Sequence, residues 1–156
     1  AQAAKHPEAV LGMHYFSPVP KMPLLEIIKT DKTADWALAT AIDVGLKQGK
    51  TPIVVGDAPG FYANRILFPY MDEALKLLQE GATVDAIDDA MTSFGFPVGP
   101  LKLIDEVGID VGAHVTNVIA PVFAARGIEL VKANEEILQA GLKGRKSGKG
   151  FYTYEG

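Results

Sequence analysis

Leu24-Leu25-Glu26-Ile27-Ile28 is a short apolar run, followed by an amphipathic stretch from about Ala34 to Lys47 and then by Ile53-Val54-Val55. Both apolar runs are bounded by proline, glycine or polar residues and read as strands. Between them Leu38, Ala41, Ile42 and Gly45 fall on one helical face, with Thr33 placed to cap the free amides and Gly49 to stop the helix. Strand, helix, strand is the α/β crossover unit and predicts parallel pairing. A further strand is expected upstream in Val10-Leu11-Gly12-Met13-His14-Tyr15-Phe16. Residues 1–57 therefore read as part of a sheet layer, with faces that one helix cannot cover.

The period becomes helical after Pro59. Ile66, Leu67, Tyr70, Ala74, Leu77 and Leu78 predict one apolar stripe, kinked at Pro69 and closed by Gly81. Thr83 can cap a helix carrying Val84, Ile87, Met91 and Phe94, ended by Gly95. Pro100 suits a first helical position before Leu101, Leu103 and Ile104. Asp110 can cap a longer helix through Val111, Val115, Val118, Ile119 and Val122, and Asn134 a last short one. Residues 58–156 thus predict an all-α domain of four or five helices, ending in a basic, glycine-rich stretch from Gly144 to Tyr154.

With 156 residues, 48% of them hydrophobic, the chain is long enough to fold. A net charge of -4 argues against a nucleic-acid or anionic-membrane binder. The lack of cysteine removes thiolate nucleophiles and Cys-ligated metal sites. No apolar run approaches the roughly 20 residues that span a bilayer, and the N-terminus has no signal-peptide pattern. The first residue, Ala1, suggests a piece of something longer. Lys143, Arg145, Lys146 and Lys149 crowd four cations into an otherwise acidic half.

Three histidines occur, none at metal-ligand spacing, and neither G-x-S-x-G, a Walker A sequence nor G-x-G-x-x-G is present. His14 lies in an apolar strand, either as a hydrogen-bonded core residue or as a proton-transfer group at the strand's end. Glu26 interrupts an apolar strand, either facing outward or pairing with His14, since a buried carboxylate needs a partner. Asn64, near a helix start, has a structural reading in satisfying local backbone groups. His6 reads as a solvated residue, and His114 as a surface or satisfied helix-packing residue.

Gly12-Met13-His14-Tyr15-Phe16-Ser17-Pro18-Val19, Lys21-Met22-Pro23-Leu24-Leu25-Glu26-Ile27-Ile28, Pro59-Gly60-Phe61-Tyr62-Ala63-Asn64-Arg65, Phe94-Gly95-Phe96-Pro97-Val98-Gly99-Pro100, Asp105-Glu106-Val107-Gly108 and Gly144-Arg145-Lys146-Ser147-Gly148-Lys149-Gly150-Phe151-Tyr152 together resemble the L-3-hydroxyacyl-CoA dehydrogenase family. The likeness is nearest to alpha subunits of bacterial fatty-acid β-oxidation complexes. It implies the end of a Rossmann-type NAD-binding domain followed by a helical domain, with the family's glycine fingerprint upstream of residue 1. It implies oxidation of L-3-hydroxyacyl-CoA with NAD+, using His14 as base, Glu26 as its partner and Asn64 at the substrate carbonyl. Ser17, where the family often has asparagine, and Lys146 become its cofactor contacts. The resemblance also implies pairing of two copies through the helical domain, a thiolase subunit as partner of the whole protein, and a bacterial cytoplasmic setting, with a mitochondrial origin as the alternative. Two other readings stay open: a non-catalytic assembly module, and a dehydrogenase of a small hydroxy acid.

Overall fold

A computed structural model describes residues 3–131 and 133–155, the side chains of 133–135 excepted. It divides into two compact units, one through Arg65 and one from Ile66 onward.

The first unit holds strands β1 (Gly12–Tyr15), β2 (Leu24–Lys29) and β3 (Thr51–Gly56), with helix α1 (Asp35–Lys47) crossing between β2 and β3. The sheet order is β1-β2-β3, with β1 antiparallel to β2 and β2 parallel to β3, as the crossover predicts. As the middle strand, β2 is buried from Leu25 to Ile28, which explains an apolar run that only Glu26 interrupts. Leu25 and Ile27 pack with Ala41, Leu38 and Ile42 of α1. Burial on that scale contributes about 1.5–3 kcal/mol per large side chain.

Thr33 does not cap α1. Its hydroxyl donates to Val10 O at 2.8 Å and accepts from Thr30 N, so the cap position passes to Ala34, which has no side-chain acceptor. The threonine ties the approach to β1 and the end of β2 together instead.

Helix α2 (Ala63–Gln79) starts in the first unit and leads into the second, which adds α3 (Val84–Phe94), α4 (Pro100–Val107), α5 (Ile109–Ala124) and α6 (Ala133–Gln139). Gly81 terminates α2: Gly81 N donates to Leu78 O and Ala82 N to Leu77 O, a pairing that needs the left-handed backbone at φ +102°. Thr83 caps α3 by accepting from Ala86 N at 3.2 Å, and Pro100 occupies the first turn of α4. Ala74, Leu75, Ile87, Leu101, Ile104 and Ile109 form the core.

Several expectations are corrected. The buried line of α2 is Asp72, Ala74 and Leu75, while Ile66 and Leu77 are exposed. The cause is Asp72, turned inward to accept from Val131 N at 2.7 Å, which rotates the core-facing side away from the apolar count. Phe94 is also exposed, stacked at 6.2 Å on Phe96, which lies flat on Tyr70 at 5.0 Å. Asp110 does not cap α5. The helix begins one residue earlier, behind Gly108, and the Asp110 carboxylate pairs with Lys146, whose bond holds it below the usual carboxylate range. Asn134 lies inside α6 and its side chain is outside the described residues.

The basic tail is a latch on α4. Asp105, buried, accepts from Phe151 N, Tyr152 N and the Tyr154 hydroxyl, each at 2.9 Å. A Cβ at Gly150 would collide with that carboxylate, so glycine there is a packing requirement. Asp88 accepts from Leu101 N, Lys102 N and the Tyr152 hydroxyl, capping α4 from a different helix. Arg145 pairs with Glu106 as Lys146 does with Asp110.

Asp105→Ala should lower stability by about 3 kcal/mol, because it strands two amides and a hydroxyl, whereas Tyr154→Phe should cost about 1 kcal/mol; urea unfolding midpoints distinguish them. Burial first, and then donation to Asp88 and Asp105, push the Tyr152 and Tyr154 phenols above the ordinary tyrosine value. Their contribution is therefore full below pH ~10 and falls as the pH rises beyond it, which alkaline unfolding curves of the two Phe variants will show.

Candidate active site

The antiparallel register places His14 directly opposite Glu26. Strand neighbours facing the same way in such a pair lie within side-chain reach, and here the imidazole Nδ1 meets Glu26 Oε2 at 2.7 Å. Glu26 is completely buried, while the His14 side chain keeps 31% of its surface accessible. The other carboxylate oxygen, Oε1, accepts from Tyr62 N at 2.9 Å and Ala63 N at 2.8 Å.

Those two amides open α2, where a helix leaves its first N–H groups without intrahelical acceptors and favours negative charge. Glu26 thus serves a strand partner and a helix start at once. Every hydrogen bond it makes is one it accepts, so Nδ1 carries the proton of the His14 contact. The opposite ring nitrogen, Nε2, then keeps its lone pair on the accessible side of the imidazole. A base with one nitrogen anchored and the other open is an arrangement for accepting a proton from a bound hydroxyl.

Asn64 follows Ala63 in the first turn of α2 and is half-buried. Its structural reading was that it satisfies local backbone groups; at Tyr62 and Ala63 Glu26 already does so. Ser17 is exposed on the bend just after β1. Lys146 lies in the second unit, in its ion pair with Asp110. His6 is exposed beside Glu8, and His114 is exposed on α5. Among the described residues, no group of three His, Asp or Glu side chains is arranged to hold a metal ion.

Two contributors carry no residue-type signal. The amides of Tyr62 and Ala63 are backbone groups, and only the Pro59-Gly60 turn ahead of them hints at a special conformation. Phe16 and Phe61 flank the imidazole, with ring centroids 4.6 and 5.6 Å from it.

The family model described as "3-hydroxyacyl-CoA dehydrogenase, NAD binding domain" matches residues 1–58, and "3-hydroxyacyl-CoA dehydrogenase, C-terminal domain" matches residues 60–154. A curated relative, the fatty acid oxidation complex subunit alpha of Shewanella loihica, is 54% identical over 154 residues. The protein of the same name from Vibrio vulnificus is 50% identical over 156 residues. The chain is covered to 99% and 100% in these matches but spans only 22% of either relative. Among solved structures, (S)-3-hydroxybutyryl-CoA dehydrogenase from Ralstonia eutropha is similar at TM-score 0.87 and 39% identity, covering 94% of this chain and 52% of that one. The 3-hydroxybutyryl-CoA dehydrogenase from Escherichia coli reaches TM-score 0.89 at 36% identity, covering 97% of this chain and 33% of that one.

Glu26→Leu should destabilise the first unit by about 2–4 kcal/mol, since it removes the acceptor of three N–H groups at once. Glu26→Gln should recover part of this, because its one carbonyl oxygen can serve the helix start or the imidazole but not both. Chemical unfolding of the three proteins side by side measures the difference.

Proposed function

Since this chain belongs to the 3-hydroxyacyl-CoA dehydrogenase family, we propose that it carries the proton-transfer half of the oxidation of an L-3-hydroxyacyl-CoA to the 3-ketoacyl-CoA. The observation behind this reading is His14, anchored through Nδ1 on buried Glu26 with Nε2 open. His14 Nε2 takes the proton from the C3 hydroxyl as the C3 hydrogen departs with its electron pair. Glu26, already accepting from Nδ1, stabilises the imidazolium that results and holds its plane. The Asn64 side-chain amide donates to the thioester or keto oxygen, where negative charge gathers.

NAD+, when bound, supplies the hydride acceptor. The residues present fit that chemistry: a strand-held base for the proton and, three residues on, an exposed Ser17 hydroxyl free to meet the cofactor. Ser17 and Lys146 are the proposed cofactor contacts of this chain. No G-x-G-x-x-G turn lies within the 156 residues, so residues 1–156 alone should bind NADH far more weakly than a polypeptide of the relatives' length.

The same reading extends to assembly. Val111, Val115, Val118 and Val122 follow one another at spacings of four, three and four along α5, and Val111 and Val118 are exposed. We assign this stripe to pairing with a second copy of the helical unit in a two-fold arrangement. The names of the relatives, each a subunit of a complex, support a further subunit as partner, a thiolase by chemistry, since thiolysis consumes a 3-ketoacyl-CoA. The bacterial relatives support a cytoplasmic setting for the whole protein; among the described residues, no single helix is long and apolar enough to cross a membrane.

In the full-length polypeptide His14→Gln should lower turnover about 10²–10⁴-fold with the circular dichroism spectrum unchanged. Undiminished turnover of acetoacetyl-CoA with NADH by that variant would remove the mechanism. For assembly, light scattering over a dilution series should show a mass of two chains that Val118→Asp converts to one.

A further inference from the structure

Phe61 is the one residue other than glycine, among those described, whose backbone is in the left-handed region, at φ +42°, and it directly follows Gly60 at φ +78°. A side chain in that conformation crowds its own backbone, and such strain persists only where the surroundings hold it. Glycine would take the same turn without cost. A phenyl ring kept there at a cost asks for a reason, and two are visible.

The first lies in the backbone. Two successive left-handed residues swing the chain so that the next two amides, Tyr62 N and Ala63 N, converge on Glu26 Oε1. Successive amides aimed at one point make a concavity for an anion, and here the anion belongs to the protein itself. The second lies in the side chain. The ring stands 5.6 Å from the His14 imidazole at 54°, with Phe16 against the imidazole at 4.6 Å and 52°. The imidazole is thus bounded by two aromatic rings while its Nδ1 is fixed by the carboxylate.

From this geometry we propose that Phe61 is a positioning residue for the His14–Glu26 pair: its backbone aims the amides that hold Glu26, and its ring holds the plane of His14. The proposal rests on the reading of His14 as the base. Phe61 touches neither proton nor hydride; it acts by keeping Nε2 aimed in one direction, and small misplacements of a catalytic group are costly.

Phe61→Gly separates the two roles, because glycine keeps the turn, relieves the strain and removes only the ring. In the full-length polypeptide the variant should melt at or above the wild-type temperature while kcat falls about tenfold and KM for acyl-CoA and NADH stays within twofold. Phe61→Tyr should return kcat to within twofold of wild type. Phe61→Leu, which keeps apolar bulk without a flat face, should lie between. Nitrogen-15 spectra of labelled histidine provide a readout independent of turnover. Wild type should show a single tautomer for His14 with the proton on Nδ1, and Phe61→Gly an averaged signal.

Wild-type kcat together with an unchanged tautomer signal in Phe61→Gly would overturn the proposal. So would a loss of kcat that only tracks a lowered melting temperature across the variants, which would make the ring a core filler. If the wild type turned over no 3-hydroxyacyl-CoA while the His14 signal still depended on Phe61, the functional reading would fail and the positioning role would stand.

Discussion

The carboxylate of Glu26 sits in the middle of the central strand with none of its surface accessible, and the first unit is arranged around that fact. An ion taken out of water costs several kcal/mol unless hydrogen bonds replace its hydration. Three do: one from the imidazole across the strand pair and two from the amides at the start of α2. Because the donors come from different elements, satisfying one charge fixes the strand register, the orientation of His14 and the point where α2 begins. Asn64 is the next residue of that helix. The placement of His14 and of Asn64 therefore has a common origin in one buried oxygen pair.

The second unit uses the same device for a different end. Asp88 takes the first amides of α4, Asp105 takes the amides of the tail, and Asp72 takes the Val131 amide. Each is a buried acid that accepts from at least one backbone amide distant in sequence, and Asp72 also pairs with Lys76 on its own helix. The difference lies in what else the carboxylate touches. Asp88 and Asp105 add tyrosine hydroxyls, which sit above their ordinary titration range and lock the contact; Glu26 adds an imidazole, which can carry a proton away. Structural and candidate catalytic acids are thus built alike and told apart by one partner.

Much of this was legible beforehand. The two strands around α1, their parallel pairing, Gly81, Thr83 and Pro100 follow from local spacing and turn chemistry, which act within a few residues. Glu26 was legible as an anomaly, a charge inside an apolar run, and the pairing with His14 was one of two ways to resolve it. The failures share one cause. Thr33 and Asp110 look like caps, yet their oxygens are engaged by Val10 and Lys146, residues 23 and 36 positions away. The face of α2 was misjudged because Asp72 counts as polar in any periodicity, although a loop amide pulls it inward. Two cations of the basic tail, Arg145 and Lys146, pair with Glu106 and Asp110, 39 and 36 positions away. Long-range partners leave no trace in spacing.

The backbone contribution to the site is the least legible of all. Two amides from Tyr62 and Ala63 do what a lysine or arginine would do for a buried carboxylate, without adding a net charge. A cationic side chain in their place would compete with His14 for Glu26 and, on protonation of the imidazole, would repel it. Neutral amide dipoles hold the carboxylate still and leave its full charge to face an imidazolium when one forms. That distinction explains why the site pairs a strand glutamate with a helix start rather than with a second ion. It also makes the turn through Gly60 and Phe61, which aims those dipoles, part of the chemistry of His14.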